Sequence, residues 1–210
     1  MATHLTPSDD ELLRLMMAGD EAAFTALYRR RQAGVYRFAL QMSGSEAIAE
    51  DVTQEVFLAL MNDATRFDSS RGSLSSYLYG IARNHVLRRL ERDRPFVQIV
   101  DDANEGEPHT GAWVAEENPH DELLRNEMIG RLRQAVLALP EHYREVVVLC
   151  DLHEMSYVEA ANALGCAIGT VRSRLHRARA LLLGKLSANI MNSEEGASAG
   201  KSFKTARCFA

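Results

Sequence analysis

The side chains best placed to do chemistry lie between Gly165 and Leu186, an interval with five Lys or Arg and no acid. Arg172, Ser173, Arg174, His176 and Arg177 follow one another there, with Thr170 just ahead. Such a set offers no nucleophile paired with a base. It can donate hydrogen bonds to base edges and neutralise phosphates, the two tasks of a DNA-reading helix. At about 100° per residue, Val171, Leu175, Ala178 and Leu182 share one apolar stripe. Arg172, Ser173, His176 and Arg177 then occupy the opposite face, flanked by Arg174 and Arg179. A second constellation, Cys150 with His153 and the nearby His142, has metal-ligand residue types but sits at the end of an apolar helix, where a buried thiol and a capping imidazole are the simpler reading. No glycine-rich phosphate loop, nucleophile elbow or H-E-x-x-H occurs. The expectation is a protein without enzymatic activity, metal or cofactor.

The basic helix needs a support. Ser156 and Glu159 make a capping box for a short helix whose inner face is Ala160, Ala161, Ala163 and Leu164. Gly165 ends it, Cys166 to Gly169 form a tight connection, and Thr170 is predicted to cap a second helix reaching about Leu183. Two short helices so joined are a helix-turn-helix, with the second fitted to the major groove. Two amphipathic helices, one ending before Pro140 and one starting with it, complete a C-terminal domain over 123–186. Residues 187–210 are small and polar and are expected to be disordered.

The net charge of −5 is segregated. Between Pro95 and Glu122 there are eight acids, three prolines and no Lys or Arg, which suggests a flexible acidic linker between two helical domains. In the domain before it, over 1–94, Ser8 with Glu11 and then Asp20 start two helices. Phe24, Leu27, Tyr28, Val35, Phe38 and Ala39 line the inner side of the second. A third helix follows Gly44 and Ser45, with Ile48, Val52, Val56 and Ala59 as its inner stripe. Its other side mixes Glu50, Asp51 and Gln54 with Phe57, Leu58 and Met61, which suits a partner surface better than a solvated face. A polar loop over 64–76 then leads into a helix with Tyr77, Ile81, Asn84 and Arg88 in line among many arginines. An aromatic, an amide and arginines on one basic face suit melted, single-stranded nucleic acid.

The 210 residues contain no apolar run of membrane length and no charged-then-apolar leader. Three scattered cysteines argue against a disulfide framework. A cytoplasmic protein with no membrane insertion of its own is expected.

The segments AEDVTQEVFLAL, YLYGIARNHVLRRLER and LPEHYREVVVLCDLHEMSYVEAANALGCAIGTVRSRLHRARALL closely resemble the bacterial RNA polymerase sigma factors of the sigma-70 family. The two-domain layout is similar to the extracytoplasmic-function (ECF) group. The resemblance implies an all-α chain of two small helical domains, region 2-like and region 4-like, that binds core RNA polymerase and directs promoter recognition, melting and transcription initiation. It implies polymerase contacts, to the clamp helices, from Asp51, Gln54, Glu55, Leu58 and Met61. It implies minus-ten DNA contacts from Phe67, Arg71, Tyr77, Asn84 and Arg88, and minus-thirty-five contacts from Thr170, Arg172, Ser173, Arg174, His176 and Arg177. Core polymerase with its clamp helices and flap, promoter DNA and an anti-sigma factor, which would hold the chain at the membrane, are the implied partners. Tyr77 stands where many members carry Trp, and Ala160 where many carry a bulkier aliphatic. The residues alone also allow a stand-alone helix-turn-helix regulator binding duplex DNA as a dimer.

Overall fold

The computed structural model describes residues 7–93 and 119–199. The interval 95–118, most of the expected linker, lies outside the described residues, as do 1–6, 94 and 200–210. The described residues form eight α-helices and no strand. The front four are α1 (Asp9–Met17), α2 (Glu21–Ser43), α3 (Glu46–Asn62) and α4 (Leu74–Asp93). The back four are α5 (Pro119–Leu137), α6 (Glu141–Val147), α7 (Tyr157–Leu164) and α8 (Ile168–Ala199).

Local sequence sets most of the boundaries. The Ser8 hydroxyl accepts from Glu11 N–H, and Asp20 accepts from the amides of Ala22 and Ala23, so each satisfies orphan donors of a first turn. Gly44, at φ 72°, ends α2 in the left-handed region, and the Ser45 hydroxyl then caps α3. In the back half the Ser156–Glu159 capping box is complete, and Gly165 at φ 63° closes α7. Beyond α6 the chain continues through a π turn, Val148–Leu152, which delivers His153 to the protein interior.

Three helices depart from expectation. Phe57 is buried at 3% exposure, edge-on to Tyr28 at 4.7 Å between ring centroids, so it belongs to the core and not to a partner face. The inner stripe of α3 is rotated toward Ala49, Val52, Thr53, Val56, Phe57 and Leu60, because α2 and α4 pack on two sides of it. The helix α8 begins at Ile168, which puts Thr170 inside the first turn instead of at its cap. Two stretches read as irregular are helical: α5 starts at Pro119, inside the expected linker, and α8 carries the backbone through 187–199, where no proline stops it.

The two halves pack on each other through α4 and α7, with α2 against α5 and the π turn. The approach is close because Gly80 has no side chain: a Cβ there would lie 3.2 Å from the Ala163 carbonyl oxygen. Across this junction Arg83 Nε donates to Glu145 Oε1 at 2.6 Å. The Glu145 side chain is only 2% exposed and that of Arg83 26%. A carboxylate removed from water to this extent needs its cation. Beside this pair, the Tyr79 hydroxyl lies 3.0 Å from His153 Nδ1, and His153 Nε2 lies 2.9 Å from Gln41 Oε1. A neutral ring protonated on Nε2 satisfies both contacts, with Tyr79 donating and Gln41 accepting. Burial, and secondarily the nearby Arg37, push the His153 pKa down from 6.5 to about 4, which keeps the ring neutral. Cys150 close by has its thiol pushed up to about 11, chiefly by burial, which keeps it protonated at neutral pH.

Two outcomes follow for this junction. Arg83→Ala strands a buried carboxylate, whereas Glu145→Ala leaves an arginine that can turn to water. The first should weaken the junction more, by up to about 3–5 kcal/mol; equal effects in a urea titration read by an interdomain distance probe would contradict this. For His153, proton uptake favours the unfolded chain below pH 6.5, so stability is full above 6.5 and declines as the pH falls toward about 4. His153→Gln should flatten that part of the stability–pH curve, and parallel curves for the two proteins would refute the assignment.

Candidate nucleic-acid and partner interfaces

The first candidate surface is the outer face of α8. Val171, Leu175, Ala178 and Leu182 are all buried, as the periodicity predicts. They fix the rotation of the helix, which leaves Arg172, Ser173, His176 and Arg177 exposed, with Arg174 and Thr170 half-buried. The Arg172 guanidinium lies 5.8 Å from the centre of the Tyr157 ring, a cation–π contact that restrains the side chain without consuming its hydrogen-bond donors. The flanking Arg179 differs. It grips Asp151 with two nitrogens, at 3.1 and 2.5 Å, and is committed to the fold.

The second surface is formed by the 3₁₀ turn Ala64–Arg66, the loop after it and the start of α4. Asp68 accepts from the amide and hydroxyl of Ser70, which folds the loop back on itself, and these bonds hold its carboxyl below the ordinary range. Phe67 and Tyr77 meet at a tilt of 54° with 5.6 Å between centroids, so these two residues are brought together. Both rings are half-buried, and Arg71 is exposed. Asn84 and Arg88 are also exposed and linked, with Arg88 Nε donating to the Asn84 carbonyl at 3.3 Å. The structure thus joins Phe67 to Tyr77 at the start of α4 and Asn84 to Arg88 further along it, while Arg71 lies exposed in the loop between Phe67 and Tyr77. The back half touches this loop. A Cβ on Gly72 would lie 2.8 Å from Asn162 Nδ2, and the Ser73 hydroxyl donates to Glu159 Oε1 at 3.4 Å.

The third surface is on α3. Leu58 and Met61 are 56% and 55% exposed, two large apolar side chains in water beside the exposed Asp51 and Gln54. Glu55 is half-buried and differs from its neighbours. Its two oxygens are taken by Arg89 Nη2, at 2.8 Å, and by His85 Nδ1. Burial alone would raise its pKa, but the bonds from Arg89 and His85 outweigh that and hold it below the usual carboxylate range. The other arm of Arg89 reaches Asp51 Oδ2 at 2.6 Å. Sequence reasoning missed this pairing. Its signal was two matched i,i+4 spacings, Asp51 with Glu55 and His85 with Arg89, on helices that had to lie side by side.

Among the described residues no group of three or more His, Cys, Asp or Glu is arranged to hold a metal ion, and His153 spends both ring nitrogens on Tyr79 and Gln41. No helix of the described residues is long and apolar enough to cross a membrane.

Comparison with known proteins agrees with this layout. Sigma-70 region 2 matches residues 27–95, and sigma-70 region 4 matches 129–182. The ECF RNA polymerase sigma factor SigW of Bacillus subtilis is 30% identical over 177 residues, 83% of this chain and 94% of that protein. SigE of Mycolicibacterium smegmatis, another ECF sigma factor, is 34% identical over 184 residues, 85% of this chain and 68% of its own. Among solved structures, CnrH in complex with the cytosolic domain of CnrY matches with a TM-score of 0.65 at 26% identity, over 87% of this chain and 99% of that one. The sigma factor RpoE in complex with the anti-sigma factor NepR, from Bartonella quintana, gives 0.59 at 25% identity, over 78% and 96%. Both family matches fall on the helices that carry the three surfaces, and the chain belongs to the sigma-70 family as an ECF sigma factor that directs transcription initiation.

Proposed function

We propose that the three surfaces divide the work of initiation. The α3 face, which carries Asp51, Gln54, Glu55, Leu58 and Met61, docks core RNA polymerase. Phe67, Arg71, Tyr77, Asn84 and Arg88 open and hold the minus-ten element, where stacking and arginine contacts offset the few kcal/mol of extruding a base. Thr170, Arg172, Ser173, Arg174, His176 and Arg177 address the minus-thirty-five element. The chain is then a non-enzymatic cytoplasmic factor, divided into a front domain over 1–94, a linker and a back domain ending near 186. The complexes of CnrH with CnrY and of RpoE with the anti-sigma factor NepR motivate an anti-sigma partner for this chain as well.

The observation that carries this reading is the exposure of Leu58 and Met61 beside the exposed Asp51 and Gln54. A stand-alone duplex-binding regulator needs no such surface in its front half. The closed junction adds a requirement: capture of a strand by the Gly72–Ser73 loop means that α7 must first leave it.

A charge placed on the apolar part of the docking face, outside the Arg89 network, separates the readings. Met61→Arg should abolish co-purification with core polymerase while leaving the circular dichroism and melting temperature of the free chain near those of the parent; retained polymerase binding would refute the assignment. On the back domain, Arg172→Ala should cost about 1–3 kcal/mol of promoter discrimination if it reads a base. Footprints of reconstituted polymerase on the parent promoter provide the check, and an unchanged footprint would exclude Arg172 as a base reader.

A further inference from the structure

Glu55 resembles a docking residue in the sequence but is occupied in the fold. Arg89 spans two carboxylates one helical turn apart, Asp51 at 2.6 Å and Glu55 at 2.8 Å, while His85 takes the second Glu55 oxygen. Asp51 remains 57% exposed, and Arg89 only 25%. Asp51 can therefore accept a partner's cation with its outer oxygen while Arg89 holds the inner one, whereas both Glu55 oxygens are engaged by α4. The basic pair lies next to the promoter-facing residues in the chain: His85 follows Asn84, and Arg89 follows Arg88. Besides the buried contacts of Val52, Val56, Ala82 and Val86, this network is the polar tie between α3 and the second half of α4.

We propose that Glu55, His85 and Arg89 are positioning residues: Glu55 is a strut and not a polymerase ligand, and the network fixes Asn84 and Arg88 relative to a polymerase docked on α3. This inference rests on the assignment of α3 as the docking face. Apolar packing alone lets a helix slide or rotate by small steps, because hydrophobic contact is not directional. A two-armed guanidinium meeting two carboxylates is directional, and it sets both the rotation and the offset of α4. Lysine at position 89 can meet one carboxylate at a time and restores only part of that constraint.

The experiment uses the full chain with core polymerase, on promoter fragments identified from transcripts made by the parent. Arg89→Met keeps the apolar stem and removes the fork. Two quantities are read: affinity for core polymerase, and permanganate reactivity of the melted strand at saturating factor. With Asp51 intact, affinity is expected to stay within about threefold, while melting falls about fivefold or more, the low end of typical coupling between sites. Arg89→Lys should recover part of the melting. His85→Gln, a milder change, should show the same split to a smaller degree should Arg89→Met fail to fold. Unchanged melting, or a loss of affinity and melting together with the melting temperature, would overturn the proposal. Failure of the parent chain to bind core polymerase would overturn both the proposal and the docking assignment beneath it, a result distinct from a split in the variants alone.

Discussion

The arrangement of this molecule depends on a single carboxylate that water does not reach. Glu145 lies among the buried apolar residues of the back half, where Arg83 of the front half supplies a counter-charge within hydrogen-bond distance. Burying an unpaired carboxylate is unfavourable enough that the back half gains by keeping the front half in place. The Gly80 contact, the neutral His153 ring and the Asn162 side chain against Gly72 lie around that pair. The junction also carries apolar contact, with Phe38 against the His153 ring and the Leu137 side chain over Gly44, so the polar pairs fix the register of a seam that apolar burial helps to hold.

The charged residues fall into two groups, and the division explains much of the function. Arg179, Arg83, Arg89, Arg30 and Arg31 are held by carboxylates and belong to the architecture. Arg172, Arg177, Arg71 and Arg88 are exposed and form no ion pair among the described residues, so their charge remains available for phosphates or bases. The same sorting separates Asp51, which is largely open to a partner, from Glu55, which is not. A chain of net charge −5 can therefore present two cationic edges to DNA without contradiction.

How much was legible depended on whether the signal was local. The Ser156–Glu159 box, Gly165 and the Val171–Leu182 stripe were readable because each is decided within one or two helical turns. The exposed basic face of α8 followed from that stripe without any tertiary information. Phe57 was misread because the rotation of α3 is settled by α2 and α4, and helical periodicity alone cannot say which of two adjacent apolar residues faces them. The acid–base pairing of Asp51 and Glu55 with His85 and Arg89 needed the knowledge that α3 and α4 run side by side. His153 looked like a capping imidazole and proved to be a junction residue, since the π turn that aims it leaves no mark in hydrophobic periodicity. Helix at 187–199 was missed because small polar residues lower the expectation of order without forbidding a helix already started upstream.

The central claim is that one helix face in the front half recruits the polymerase so that basic elements in both halves can address a promoter together. Its most direct test is transcription in vitro with purified chain, core RNA polymerase and genomic DNA, followed by sequencing of the transcript starts. The account predicts a discrete set of starts absent with core enzyme alone, sharing one upstream sequence pattern at fixed spacing. Absence of such starts, together with tight binding of the isolated chain to palindromic duplex sites, would contradict it.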